Sequence, residues 1–494
     1  MKITNLTTPK ARRDKRILAA AAVLVIVFFA LLYSSISLWD PDFWWHINTG
    51  KYIVEHGSLP DKDLFVFTPM GKDMKANIAT LKGYWLAQIV LYEVWKIGGV
   101  TGTIVFRVIL LALTLWMVWR FTRGGSTYLR LAGLLLAGNT LFYFTGERPQ
   151  IFVFPLTILL LMILQAYIEK RSKAIFLLPV VTLLWTNLHR SSLFAVVIIL
   201  IYVTGSLVHL RQTFDDNISL DRRRKAIFTL VCLFSVATVF ASPVGFDKIK
   251  DLNVFQRSVW TGGTIEFLSP FVLFSLYHKL YPVYMACLLI AVAVLLTNIR
   301  RTPLAAALCV IATLVLSLTG ARYMVFLALT VPLLFRLPQI RLNKYVQKAA
   351  VLIALVPVVL NMSYFRPFNF SIRETYPLKS VSILKEKSPK RVFAYLEWGG
   401  FAGYFLPGAR VFIDGKILSE GVLAQYEATL EGTEAMGQKE WKYNLDRYDV
   451  DTIILPPNDF VTGKPIALIN RLLVDNDWEK IYQDDRQVLF VKRQ

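Results

Sequence analysis

Cysteine is scarce in this chain, with three in 494 residues, and histidine hardly commoner, with five. The three thiols, Cys232, Cys287 and Cys309, all fall inside apolar runs, which excludes a disulfide framework and leaves no zinc-ligand spacing. Internal repeats and low-complexity segments are missing as well. Charge is thin, at 18% of residues, and carboxylates are the rarer sign: 34 Asp and Glu against 55 Lys and Arg. What fills the chain is apolar. The hydrophobic fraction is 55% and the mean hydropathy +0.49, whereas soluble domains are roughly 45–50% apolar. An ordinary soluble protein is thereby excluded, and a polytopic membrane protein is expected.

The net charge of +21 does not describe a nucleic-acid binder, because of where it lies. From Arg366 onward there are 18 basic and 18 acidic residues, so this tail is neutral and the excess sits in the apolar part. There the cations gather between apolar runs, at Lys10 to Arg16, Arg120 to Arg130, Lys170 to Lys173, Arg211 to Lys225, Arg300-Arg301 and Arg336 to Lys348. Basic loops of this kind mark the cytoplasmic side of a membrane protein. A run of about 20 apolar residues crosses a bilayer as a helix, and spans are expected near 17–38, 100–119, 129–146, 149–168, 174–189, 191–209, 226–243, 281–298, 303–319, 321–335 and 348–364. With a cytoplasmic N-terminus and an uncleaved first span, these eleven put every basic cluster inside and the tail outside. The expected architecture is mainly α: a multi-span domain over 1–364, with a first outer loop at 39–81, and a soluble extracytoplasmic α/β domain over 365–494.

The stretch that stands out is Trp39-Asp40-Pro41-Asp42-Phe43-Trp44-Trp45-His46-Ile47-Asn48-Thr49-Gly50, directly after the first apolar run. Tryptophans at a membrane surface form an interfacial belt, and Asp-Pro-Asp reads as a turn ending the preceding helix. A belt needs no paired acids, however, and acids beside a bilayer usually serve a function. A catalytic or ligand-binding loop is the alternative. If the stretch is helical, His46 lies one turn beyond Asp42 on the same face, where it orients the acid or simply sits as an interfacial histidine.

Other charges fall on the outer links: Glu147 and Arg148 in Gly146–Gln150, His189 and Arg190, Arg322, and Glu266 in the loop from Pro243 to Lys279. Singly, each reads as a helix-end charge reaching for water. Together on one face they suggest a polar cavity. Gly83 to Trp95 carries apolar and aromatic residues at helical spacing and reads as an interfacial helix. In the tail, Val392–Leu396, Val411–Ile413 and Thr452–Leu455 read as strands and Trp478–Val491 as a strand pair. Trp398-Gly399-Gly400 and Asp414-Gly415 read as turns or close backbone approaches.

These residues resemble the GT-C superfamily of membrane glycosyltransferases. The resemblance rests on the Asp40 stretch, Gly57-Ser58-Leu59-Pro60 with Asp63, Tyr84-Trp85-Leu86, Glu147-Arg148-Pro149-Gln150, Trp185 to His189, Ala321-Arg322-Tyr323, Glu397 to Gly400 and Phe412-Ile413-Asp414-Gly415. Trp398-Gly399-Gly400 is similar to the Trp-rich signature of oligosaccharyltransferase tails, although the full Trp-Trp-Asp-Tyr-Gly form is not present. The resemblance implies an inner-membrane enzyme that takes a sugar from a polyprenyl-phosphate carrier on the outer face and hands it to a glycan, lipid or protein acceptor. It implies catalytic acids at Asp40 and Asp42, with Asp42 as general base. It implies carrier or substrate contacts among His46, Glu147, Arg148, His189, Arg190, Glu266 and Arg322. Arginine suits the phosphate because its planar fork pairs two oxygens. A divalent cation, magnesium or manganese, on Asp40, Asp42 and His46 is a candidate cofactor. The competing readings are a flippase or transporter of lipid-linked sugar, an O-antigen-type ligase, and a non-catalytic scaffold.

Overall fold

A computed structural model describes residues 9–68, 78–207, 221–253, 269–272, 280–336, 342–416, 420–435, 438–460 and 462–493. Its contacts divide the chain into two compact units. One comprises Met1–Ile36, Ile104–Thr145 and Gln150–Phe370; the other comprises Ser37–Thr103, Gly146–Pro149 and Ser371–Gln494.

The first unit is helical. Each of the eleven apolar runs read from the sequence carries a helix. Among the described residues, four helices are long and apolar enough to cross a membrane by length and composition: Trp85–Phe121, Gln150–Lys170, Arg190–Leu207 and Lys344–Tyr364. Shorter apolar helices lie at Ala19–Ser34, Lys173–Leu188, Pro282–Asn298 and Leu304–Thr319. Leu24, Leu230, Phe234, Leu296, Leu352 and Val359 are each more than half exposed, an apolar surface that water would not tolerate at this extent and that lipid accommodates. The protein is therefore a membrane protein. Polar side chains fasten the helices to one another. Tyr33 donates to the Gly138 carbonyl (2.9 Å), Asn361 to Asn139 (3.2 Å), and Tyr143 to Asn361 (2.8 Å). Arg107, fully buried, donates to the carbonyls of Tyr33 (2.9 Å), Thr145 (3.4 Å) and Ile36. It thus meets the carbonyls that helix ends leave without intrahelical partners.

The second unit is built on a five-stranded sheet in the order Arg410–Val411, Arg391–Ala394, Thr452–Leu455, Val488–Lys492, Trp478–Gln483. The first three strands are parallel and the last two antiparallel. The expected strand at 452–455 is present in full, those at 392–396 and 411–413 are present as Arg391–Ala394 and Arg410–Val411, and the 478–491 segment is the expected pair. The first loop extends this sheet: Val66 bridges Val411 in parallel, with Phe67 N–H donating to the Val411 carbonyl (3.1 Å) and Val411 N–H to the Phe65 carbonyl (2.8 Å). Leu38 likewise bridges Ile372. These pairings explain why contacts group residues 37–103 with the tail, whereas the sequence boundary at 364/365 had separated them.

Trp44 and Trp45 do not form an interfacial belt, since they are 0% and 4% exposed. The acids do not end a helix either. The preceding helix stops at Ser34, and Asp42 opens the next, Asp42–His56, which closes on Gly57 with its N–H donating to the Ile53 carbonyl. An acid in the first turn suits the positive end of the helix dipole. This helix packs on Leu396–Phe405 through Trp44, whose ring meets Phe401 at 4.9 Å, Phe405 at 5.2 Å, Trp95 at 5.3 Å and Tyr376 at 5.7 Å. Trp44→Ala should cost about 3–5 kcal/mol, the usual range for a buried aromatic, read as a large drop in the thermal midpoint of the purified protein. Trp116→Leu, at a half-exposed position, is the control, and equal losses would contradict the anchoring role of Trp44.

Candidate functional site

In the second unit Asp40, Asp42 and Arg148 converge. Arg148 Nε donates to Asp40 Oδ2 at 2.6 Å, and its Nη1 lies 3.0 Å from Asp42 Oδ2. Asp40 Oδ1 accepts the Asp42 N–H (3.0 Å), and the Asp40 carbonyl accepts the Phe43 N–H (3.2 Å). This side-chain turn starts the helix in the way aspartate commonly does. Asp42 Oδ1 accepts from the Trp45 indole N–H (3.1 Å). The Asp40 side chain is wholly buried, while those of Asp42 and Arg148 are about one-fifth exposed, at 20% and 22%. Asp42 is thus the acid of the pair that a substrate can reach.

Two glycines make room for the acids. A Cβ at Gly146 would overlap Asp40 Oδ2, and one at Gly415 would overlap Asp42 Oδ1. The tail motif also acts by close approach, though inside a helix rather than a turn. Trp398, Gly399 and Gly400 lie in Leu396–Phe405, with Gly399 against the Ile413 carbonyl and Gly400 against Trp45 N and the Pro41 carbonyl.

Gly415 stands between Asp414 and Lys416, a buried ion pair. Sequence reading had singled out Asp414 and missed Lys416, whose only signal was its place after Asp-Gly at the exit of a strand. Lys416 Nζ is 3.9 Å from Asp63 and lies over the rings of Trp45 (5.5 Å) and Phe65 (5.6 Å). Burial pulls its ammonium pKa down, but Asp414, Asp63 and Asp42 outweigh it, so the group is held above the ordinary lysine value. Burial raises the Asp414 carboxyl, with Lys416 acting against that rise. Asp63 Oδ1 accepts from Phe65 and Val66 N–H (3.0 and 3.1 Å). Asp414 and Lys416 follow the carboxyl end of the strand Arg410–Val411, while Asp63 precedes the strand that the first loop adds beside it.

His46, expected to share a face with Asp42, is buried at 3% exposure. Its Nδ1 meets Gln88 Nε2 at 3.3 Å, and its ring lies 3.6 Å from that of Trp45. Trp45, at i+3, donates to Asp42. Arg148 holds Oδ2 of both Asp40 and Asp42, and among the described residues no three His, Cys, Asp or Glu side chains are grouped for a metal. Glu147 is fully buried in the same unit.

His189, Arg190 and Arg322 belong to the other unit. His189 Nδ1 accepts from Ser191 N–H (3.0 Å) and meets Ser191 Oγ (2.8 Å). Nearby, the buried Lys248, which sequence reading missed, donates to the Thr186 carbonyl (2.9 Å). Arg322 lies in the turn Ala321–Tyr323 at the start of Met324–Thr330. Glu266 lies outside the described residues.

The fold is one already seen in solved membrane proteins. The apo oligosaccharyltransferase of Archaeoglobus fulgidus superposes with a TM-score of 0.54 at 10% identity, covering 88% of this chain and 69% of that one. The oligosaccharyltransferase AglB of the same organism, in complex with an inhibitory peptide and a dolichol-phosphate, gives 0.55 at the same identity and coverage. The form tethered to an acceptor peptide containing the NVT sequon gives 0.56, again at 10% identity, 88% and 69%. The chain therefore has the fold of a GT-C membrane protein. No protein-family model and no curated protein matches it.

Gly415→Ala and Gly146→Ala should each destabilise by about 1–3 kcal/mol, the range for overpacking. Gly98→Ala, with open space around it, should be close to neutral. Thermal unfolding of the three variants checks this, and equal midpoints would remove the close approach as a constraint. Lys416→Met, which leaves Asp414 and Asp63 buried without their cation, should lose about 3–5 kcal/mol, and Lys416→Arg should retain most of it. A Lys416→Met protein as stable as wild type would show that the pair is not structural.

Proposed function

We propose that this chain is a membrane glycosyltransferase that moves a sugar from a polyprenyl-phosphate-linked donor to an acceptor on the extracytoplasmic face. The observation that carries the reading is the Arg148 guanidinium held across Asp40 and Asp42, in a chain with the fold of oligosaccharyltransferases. In this reading the helices form about eleven spans in an inner membrane. The N-terminus is cytoplasmic, and the 365–494 segment is extracytoplasmic. The dolichol-phosphate and acceptor peptide held by the archaeal neighbours support a lipid-phosphate carrier and a peptide as the first acceptor class to test.

Breaking the anomeric C–O bond leaves negative charge on the departing phosphate and positive character on the sugar. The part-exposed carboxylate of Asp42 takes the proton from the attacking acceptor group, a contribution of about 10² to 10⁴ in rate. Asp40, wholly buried, fixes Arg148 and does not meet substrate. Arg148 supplies a guanidinium group for the carrier phosphate, and Arg322, in the other unit, is a separate carrier contact.

Asp42→Asn should retain the fold and lose sugar transfer by about 10² to 10⁴, measured with purified protein and a polyprenyl-phosphate-linked sugar. Undiminished turnover would remove Asp42 from the role. Arg322→Ala should weaken binding of the carrier more than that of the acceptor, and equal weakening would count against its phosphate role.

A further inference from the structure

The helical unit contains a polar cavity that the transfer reading does not use. It has a volume of about 510 Å³ and is lined by Arg120, Arg123, Gly124, Met162, Lys170 and Arg336. That volume is within the range of small-ligand sites. Four of the six lining residues are cations, drawn from three separate basic clusters of the sequence, those beginning at Arg120, Lys170 and Arg336.

The wall is built rather than incidental. Arg336 donates to Glu169 through Nε (2.8 Å) and to the Phe121 carbonyl through Nη1 (2.9 Å), with its side chain only 16% exposed. A Cβ at Gly125 would overlap the Phe335 carbonyl, so the turn at 122–125 is pressed directly onto the end of Pro332–Arg336. Glu169 offsets the Arg336 charge. Among the described residues, none of Arg120, Arg123 and Lys170 is in an ion pair. Arg120, Arg123 and Lys170 are like charges around one cavity, with Glu169 acting on Lys170 as well as on Arg336, and a bound anion relieves the repulsion among them. Guanidinium groups favour oxyanions that accept two parallel hydrogen bonds, and basic pockets between membrane helices hold phosphate head groups.

We infer that this cavity binds a phosphate-bearing anion. The sources that share this chemistry are the head group of an anionic lipid and a free phosphate. The site goes beyond the transfer reading and does not depend on Asp42.

The test uses the purified full chain in neutral detergent, with thermal shift as readout and three separate additions: phosphatidylglycerol, phosphatidylcholine and inorganic phosphate. A rise in midpoint with phosphatidylglycerol and not with phosphatidylcholine or inorganic phosphate supports the site with a lipid head group as its occupant. A rise with inorganic phosphate supports it with a soluble occupant. Removing cations should weaken the apparent affinity by about fivefold each, so Arg123→Gln with Lys170→Gln should lose about 25-fold, while Arg123→Lys with Lys170→Arg should stay close to wild type. Arg120→Gln, at an exposed position, carries the same test alone should the double variant not fold. No shift with any anion, or shifts unchanged in Arg120→Gln and the double glutamine variant, overturns the inference.

Discussion

One guanidinium between two carboxylates organises the second unit. Asp40 is wholly buried, and an uncompensated buried carboxylate is costly enough that breaking such a pair destabilises strongly. Arg148 Nε supplies the counter-charge at 2.6 Å, and the same side chain reaches Asp42 at 3.0 Å. Asp42 then faces a second cation, since its charge also acts on Lys416, which is itself paired to Asp414 and close to Asp63. Signs therefore alternate through the site from Asp40 to Arg148, Asp42, Lys416 and Asp414. Asp42 is the member common to both clusters. Its position is set from two directions by charge and from a third by the Trp45 indole.

The sheet supplies the frame for that arrangement. Asp414 follows the two-residue strand Arg410–Val411, and Phe65 to Phe67 add a further strand to the same edge. Asp63, just before this added strand, is consequently brought against Lys416. The aromatic packing of Trp44 on Leu396–Phe405 does the same for the helix that begins with Asp42. Charge geometry and apolar burial are thus fixed by the same few contacts, which leaves little freedom for the acids to separate.

Much of this was visible in the residues themselves. Long apolar runs are unambiguous because a bilayer demands them, and each carries a helix. Asp40, Asp42 and Arg148 stood out because charge beside apolar runs is rare, and the structure brings them together. What escaped was whatever depended on long-range pairing or on exact helix phase. That Trp45 donates to Asp42 follows from Asp42 occupying the first helical position, a boundary that composition does not locate. Lys416 and Lys248 looked like ordinary surface lysines, because burial of a cation is decided by segments distant in sequence. Strands of two residues, such as Arg410–Val411, are too short to carry a period, so the recruitment of the first loop into the tail sheet left no pattern to read.

Assembly of the second unit from Ser37–Thr103, Gly146–Pro149 and Ser371–Gln494 fixes an order of events during synthesis. Domains generally fold as they leave the ribosome, but this one is interrupted by helices that must insert first. Asp40 and Asp42 are made well before Ile372 and Val411, which pair with Leu38 and Val66, and must wait for them. A nascent chain stalled before that point holds inserted helices and an unfinished second unit. The second unit closes only once the segment around Val411 has been made.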